Sequence, residues 1–221
     1  MGLARTTAER VILTLESEGF VERITDGKRY SLAPRILALS GAYSREDQLI
    51  NIATPLLFEK TREIGWPLAI AVPLGERMSV RVTTDPATAL WLHKRHVGSD
   101  IAMAAGSGGI VHLAFLDEAQ REELIEMLRQ SDDPAQALAR DRIALDRYLE
   151  AARRDGFSLG METGQERAAS VPLLDHGRIR AVLVMIYMAR AVRKQELLTR
   201  FVPDLKALAA EIERRAFEDE S

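Results

Sequence analysis

The sequence predicts an α+β chain in two parts. A short helix–strand–turn–strand unit at the amino end is followed by a larger domain built on a mostly antiparallel sheet flanked by helices. Two patterns carry that reading. Apolar residues recur at helical spacing over 4–18, and two strand-like runs joined by an Asp-Gly turn follow at once. From about residue 68 onward, strand-like runs joined by tight turns are interspersed with amphipathic helical runs. Composition agrees, with 47% hydrophobic and 29% charged residues in a chain of 221, ordinary values for a packed globular protein.

In the first helix, Ala8, Val11, Ile12 and Leu15 share a face, and Gly19 stops it. Residues 20–24 and 29–32 read as strands around the turn Thr25-Asp26-Gly27-Lys28. Helix, strand, turn and strand in so short a span form the back half of a winged helix-turn-helix. Pro34 opens a linker helix over 35–48, a position proline favours. A separate helix follows over about 50–64, closed by Gly65. Strands are expected over 68–74 and 78–84, with a third over 89–94. Helices are expected over 106–116, over 118–129 with Asp117 as its cap, and over 140–154. Strands over 168–174 and 178–187 flank the turn Asp175-His176-Gly177. A long helix over 193–217 closes the chain, and Pro203 either kinks it or begins its second part.

The formal charge is only −3, so any contact with nucleic acid must be local. Through Asp47 the chain carries seven basic and seven acidic residues, and the excess acidity lies beyond. There is no cysteine, which removes disulfides and thiolate metal sites and makes the cytoplasm the simplest compartment. No apolar run approaches the ~18 residues of a membrane span.

Three groups of residues, in order along nearly the whole chain, resemble the IclR family of transcription regulators. The run from Gly2 to Val21, with the wing strand Arg29-Tyr30-Ser31-Leu32, resembles that family's recognition helix and wing. Val97-Gly98-Ser99-Asp100-Ile101, Ala104-Ala105-Gly106-Ser107-Gly108 and Leu113-Ala114-Phe115 form the second group. Arg154-Asp155-Gly156-Phe157, Ser170-Val171-Pro172-Leu173 and Gly177 form the third. Within the family, Arg62 to Pro67, Glu122 to Leu128 and Tyr187-Met188-Ala189 resemble the activators of phenylpropionate catabolism. The resemblance implies three segments: a winged helix-turn-helix shortened at its amino end over 1–33, a linker helix over 34–48, and a GAF-like effector-binding domain over 49–221. It also implies a homodimer or homotetramer, with Leu37, Leu39 and Tyr43 of the linker as candidate contacts.

For DNA, the candidates are Arg5, Thr6, Thr7 and Arg10 at the start of the recognition helix, with Lys28 and Arg29 in the wing. Arginine and threonine there reach base edges and phosphates, and the helix terminus itself favours an anion. Family members carry further helices before this point. Without them Ala8, Val11 and Leu15 lose the partners that bury them, so weak operator binding is expected of this chain. For the effector, the resemblance implies a small organic acid, and the subgroup likeness an aromatic one. Its carboxylate would meet backbone amides of Ala105, Gly106 and Ser107, where small residues let the backbone approach. The family's usual threonine is Ala105 here and its usual proline is Ala102, so one hydroxyl donor is lost. Ser170, Met185 and Tyr187 are further candidates from two strands, Met103 and Trp91 from the apolar wall, and Glu162 from the loop before Ser170.

No enzyme or cofactor chemistry is expected. The four histidines, His93, His96, His112 and His176, have no metal-ligand arrangement with carboxylates. Gly106-Ser107-Gly108-Gly109 only loosely resembles a nucleophile elbow, and no phosphate-cradling loop is present. The main expectation is an effector-controlled DNA-binding regulator of aromatic catabolism. The alternative is a stand-alone ligand-binding or dimerising module that no longer binds DNA.

Overall fold

The structure is a computed structural model that describes residues 5–24, 29–35, 43–90, 93–160 and 164–217, with the side chains of Arg5 and 43–47 left aside. It divides into two compact units, Met1–Gln48 and Leu49–Ser221.

In the first unit, α1 (Arg5–Ser17) is followed by the antiparallel strands β1 (Val21–Arg23) and β2 (Tyr30–Leu32). Gly19, at φ +73°, ends α1 in a Schellman motif. The Phe20 amide donates to the Leu15 carbonyl at 2.9 Å, and the Gly19 amide to that of Glu16 at 3.0 Å. The Arg35 guanidinium lies over the Phe20 ring and donates to the Glu18 carbonyl at 2.7 Å, fixing the chain beside the wing. On the apolar face of α1, Val11 and Leu15 are 50 and 38% exposed, whereas Ala8 and Ile12 are half-buried. The Asp26-Gly27 turn and the start of the expected linker helix lie outside the described residues.

The second unit is a five-stranded antiparallel sheet in the order β5-β4-β3-β7-β6. The strands are β3 (Leu68–Leu74), β4 (Arg77–Thr83), β5 (Asp100–Ala102), β6 (Glu166–Asp175) and β7 (Arg178–Met188). The expected third strand over 89–94 is not seen among the described residues of that segment, and the edge strand is the three-residue β5 instead. The described part of the expected linker helix, from Tyr43, runs without a break into the next one as α2 (Tyr43–Ile64), which accommodates Pro55. β6 and β7 turn at His176 and Gly177, with φ of +47° and +80°, the positive pair that a two-residue hairpin loop demands.

Strand alternation gives the sheet two faces. On one face Leu68, Ile70, Leu173, Leu183, Met185 and Tyr187 pack against Leu49, Ala53 and Leu57 of α2 and the closing helix α8 (Val202–Phe217). Between the three-residue α7 (Lys194–Glu196) and α8, a π-helical turn (Leu197–Phe201) precedes Pro203. Proline has no N–H for the carbonyl of Thr199, and the widened turn takes up the mismatch. On the other face Ala71, Met78 and Val182 pack with Ile110 and Leu113 of α3 (Ser107–Phe115). Behind α3 lie α4 (Glu118–Gln130), α5 (Ala137–Arg140) and α6 (Arg142–Asp155), which bring Ile125, Leu128, Ala139 and Leu145 to the same core. Asp117 caps α4 through the Gln120 amide, and Asp141 caps α6 through that of Ala144, both at 3.0 Å. A register shift between β3 and β4 at Ile70/Ala71 reverses the alternation of β4. Met78 and Val80 therefore face the α3 side while Val82 joins the α2 and α8 side.

His112 of α3 is buried, and its Nδ1 has no hydrogen-bond partner among the described residues. Burial lowers its pKa from 6.5 to about 4. The unfolded chain therefore takes up a proton near pH 6.5 that the folded chain refuses until about 4. Its contribution is fully favourable above pH 6.5 and declines as pH falls towards 4. Between pH 7.5 and 5 this group should cost about 2 kcal/mol. Urea unfolding of wild type and His112→Leu at both pH values checks this, because the variant should lose less by about that amount.

Candidate functional site

Small side chains create the space. Alanines at 69 and 71 on β3 and at 168 on β6 leave a cavity of about 250 Å³ between the sheet and the start of α3. Its floor spans four strands, with Met78 and Val80 from β4 and Val184 and Ile186 from β7. At about 4.8 Å per strand the floor is roughly 14 Å across. Ala105 to Gly109, with Leu159 and Gly160, form the roof.

The roof is the amino end of α3. Gly106 is its N-cap and offers no capping side chain, and the first helical bond runs from the Ile110 amide to the Gly106 carbonyl at 3.1 Å. The amides of Ser107, Gly108 and Gly109 are then the terminal donors of the helix, at its positive end. Glycine is required at 109, where a Cβ would overlap the Met103 carbonyl. At 108 a Cβ would lie 3.2 Å from Val182 Cγ2, so glycine also lets α3 approach the sheet. Ser107 and Ser170 are both buried and share a hydrogen bond of 2.7 Å between their hydroxyls. Ser170 is held by paired backbone bonds with Ser158, of 2.9 and 2.8 Å.

A second polar region borders the cavity. Arg95 Nη2 donates to Glu166 Oε2 at 2.6 Å, with the two side chains 21% and 9% exposed. The Arg95 amide donates to Asp85 Oδ2 at 2.7 Å, and Thr83 Oγ1 donates to Asp85 Oδ1 at 2.7 Å. Asp85 is fully buried, so the irregular segment carrying Arg95 is tied back onto the sheet. Arg167 also borders the cavity.

Of the residues expected from sequence, Ala105, Gly106 and Ser107 border the cavity, and Ser170 lies directly behind Ser107. Met103 is fully buried in the core under α3, and Gly109 packs on its backbone. Met185 and Tyr187 do share a face, but it is the opposite one, packed towards α2 and α8. Their neighbours Val184 and Ile186 border the cavity instead. Glu162 and Trp91 lie outside the described residues. Arg95 and Glu166 were not expected. Glu166 could have been found by counting back in twos from Ser170, whereas nothing local marks Arg95.

On the first unit, Thr6, Thr7 and Arg10 are exposed along α1, and Arg29 is exposed before β2. Arg5 is the first residue of α1, and Lys28 lies outside the described residues. Among the described residues no cluster of histidine and carboxylate side chains could hold a metal, and no helix is long and apolar enough to cross a membrane.

The chain matches no family model. It is 28% identical to the Pca operon regulatory protein of Acinetobacter baylyi over 224 residues, covering 96% of this chain and 77% of that one. It is 22% identical to the transcriptional repressor IclR of Escherichia coli over 125 residues, 56% of this chain and 46% of that one. Among solved structures, an IclR family transcriptional regulator from Brucella abortus superposes with a TM-score of 0.67 at 21% identity, covering 96% of this chain and 80% of that one. A double mutant of the PobR inducer-binding domain from Acinetobacter, in complex with 3-hydroxybenzoic acid, superposes with a TM-score of 0.62 at 22% identity, covering 74% of this chain and 96% of that one. The recognition-helix and wing pattern, the sheet with its cavity under α3, and these relatives agree: over nearly its whole length the chain is similar to transcriptional regulators of the IclR family.

Proposed function

We propose that the chain controls transcription in response to a small organic acid held in the cavity between the sheet and α3. The observation that carries this is the uncapped amino end of α3 standing over an apolar floor. Terminal amides at the positive end of a helix favour a carboxylate, and a floor of alanine, valine and isoleucine favours a hydrocarbon or ring. A volume of about 250 Å³ falls below the roughly 300–1,000 Å³ of sites for drug-sized ligands, so a single-ring or short-chain acid fits best. The 3-hydroxybenzoic acid in the PobR complex is of that size, and it supports an aromatic acid here.

In this reading Thr6, Thr7 and Arg10 of α1 meet the operator, with Arg29 on backbone phosphate, in a homodimer or homotetramer. The acid changes transcription by binding one arrangement of the assembly better than another. Calorimetric titration with benzoate and hydroxybenzoates tests the sensor half, with saturable binding at one site per chain expected. Absence of binding by any small organic acid would overturn it.

The exposure of Val11 and Leu15 on the apolar face of α1 favours a second reading, a ligand-binding module that has little hold on DNA. On that reading the chain would bind operator near the non-specific level, with Kd of about 10⁻⁶ M or weaker at physiological salt. A gel-shift titration decides, since a nanomolar sequence-specific complex would exclude the module reading.

A further inference from the structure

The cavity has a polar group at each end, and the spacing between them is set by one strand. Ser170, bonded to Ser107 at the start of α3, and Glu166, bonded to Arg95, lie on the same face of β6. They are four residues apart, so their Cα atoms are separated by roughly 13 Å. Ala168 sits midway between them on the same face, opposite Ile186 of β7, and both border the cavity. The floor is therefore apolar in the middle and polar at its two ends.

The ends differ in kind. At α3 the available groups are helix-terminal amides and the Ser107 hydroxyl, which suit a carboxylate. At the other end Arg95 is already neutralised by Glu166, whose side chain is only 9% exposed. A second carboxylate there would stand beside the buried Glu166 carboxylate, which Arg95 already neutralises, and the two like charges would repel. A hydroxyl donating to Glu166 costs nothing of the kind, because a carboxylate accepts several hydrogen bonds at once.

The geometry points to Glu166, held by Arg95, as the group that selects a hydroxylated acid over its unsubstituted or dicarboxylic counterparts. The effector class is then a carboxylic acid bearing a hydroxyl at the far end of a ring or short chain. This rests on the acid-sensing reading above and makes Glu166 a specificity residue within it.

Calorimetry on the intact chain with benzoate, 3-hydroxybenzoate, 4-hydroxybenzoate and terephthalate tests the inference. One of the two hydroxybenzoates should bind at least about tenfold more tightly than benzoate, and terephthalate more weakly than benzoate. In Glu166→Gln the hydroxyl preference, read as the ratio of hydroxybenzoate to benzoate affinity, should shrink to about threefold or less. Equal affinities for benzoate and both hydroxybenzoates in wild type would overturn the inference and leave the acid sensor standing. So would a Glu166→Gln variant that binds all the acids more tightly by a common factor, which would place the ligand carboxylate beside Arg95. Failure of every acid to bind would instead overturn the sensor reading itself. The wild-type series decides even if the variant does not fold.

Discussion

Gly109→Ala should destabilise the second unit by about 3 kcal/mol or more. An added Cβ would overlap the backbone carbonyl of Met103 and lie 2.8 Å from its Cα. Met103 is fully buried, so the turn that carries it has nowhere to go. A backbone obstacle cannot swing aside as a flexible side chain can, and α3 must shift off the sheet. For a chain of this size the melting temperature should fall by roughly 6–12 °C. Gly108→Ala serves as the control. Its Cβ would meet Val182 Cγ2 at 3.2 Å, and a side-chain methyl can yield by a few tenths of an ångström. Thermal melts of the two variants side by side should separate them clearly, and equal melting temperatures would mean that α3 does not rest on Met103 as described.

Ala168→Leu should abolish acid binding while leaving the fold intact. Position 168 faces the cavity midway between Glu166 and Ser170, where the ring of a ligand would lie. The larger side chain enters existing space, so it fills the cavity without overpacking the core. Affinity for the preferred acid should fall by about a hundredfold or more, with little change in melting temperature. Titration calorimetry and thermal melts on the same preparation check both halves. Undiminished binding would show that the acid sits elsewhere.

The parts of the fold that were legible are those fixed by local chemistry. Asp117 was legible as a cap, Asp-His-Gly as a hairpin turn, and Gly19 as a helix stop. Each works through its own backbone neighbours. What was missed depends on distant partners. β5 is three residues long and is defined only by pairing with β4, so no periodicity announces it. The helix break expected near residue 49 is absent, and α2 continues from Tyr43 to Ile64. Met185 and Tyr187 show the limit of a period-two argument, which groups residues by face but does not say which face is which. Both faces of this sheet are buried, so the alternation of apolar and polar residues that would orient β7 is absent. Arg95 reaches the cavity only because Asp85 ties its amide back across an irregular segment, a contact invisible in sequence.

The two faces of β7 also supply the most direct test. Methyl-labelled protein titrated with 3-hydroxybenzoate and followed by NMR would report on each face separately. If the acid binds between the sheet and α3, the methyls of Ala69, Ala168, Val184 and Ile186 should shift and saturate together, while those of Leu173, Leu183 and Met185 on the other face stay nearly still. Saturating shifts centred on Leu183 and Met185, with Ala168 and Ile186 unmoved, would contradict the account.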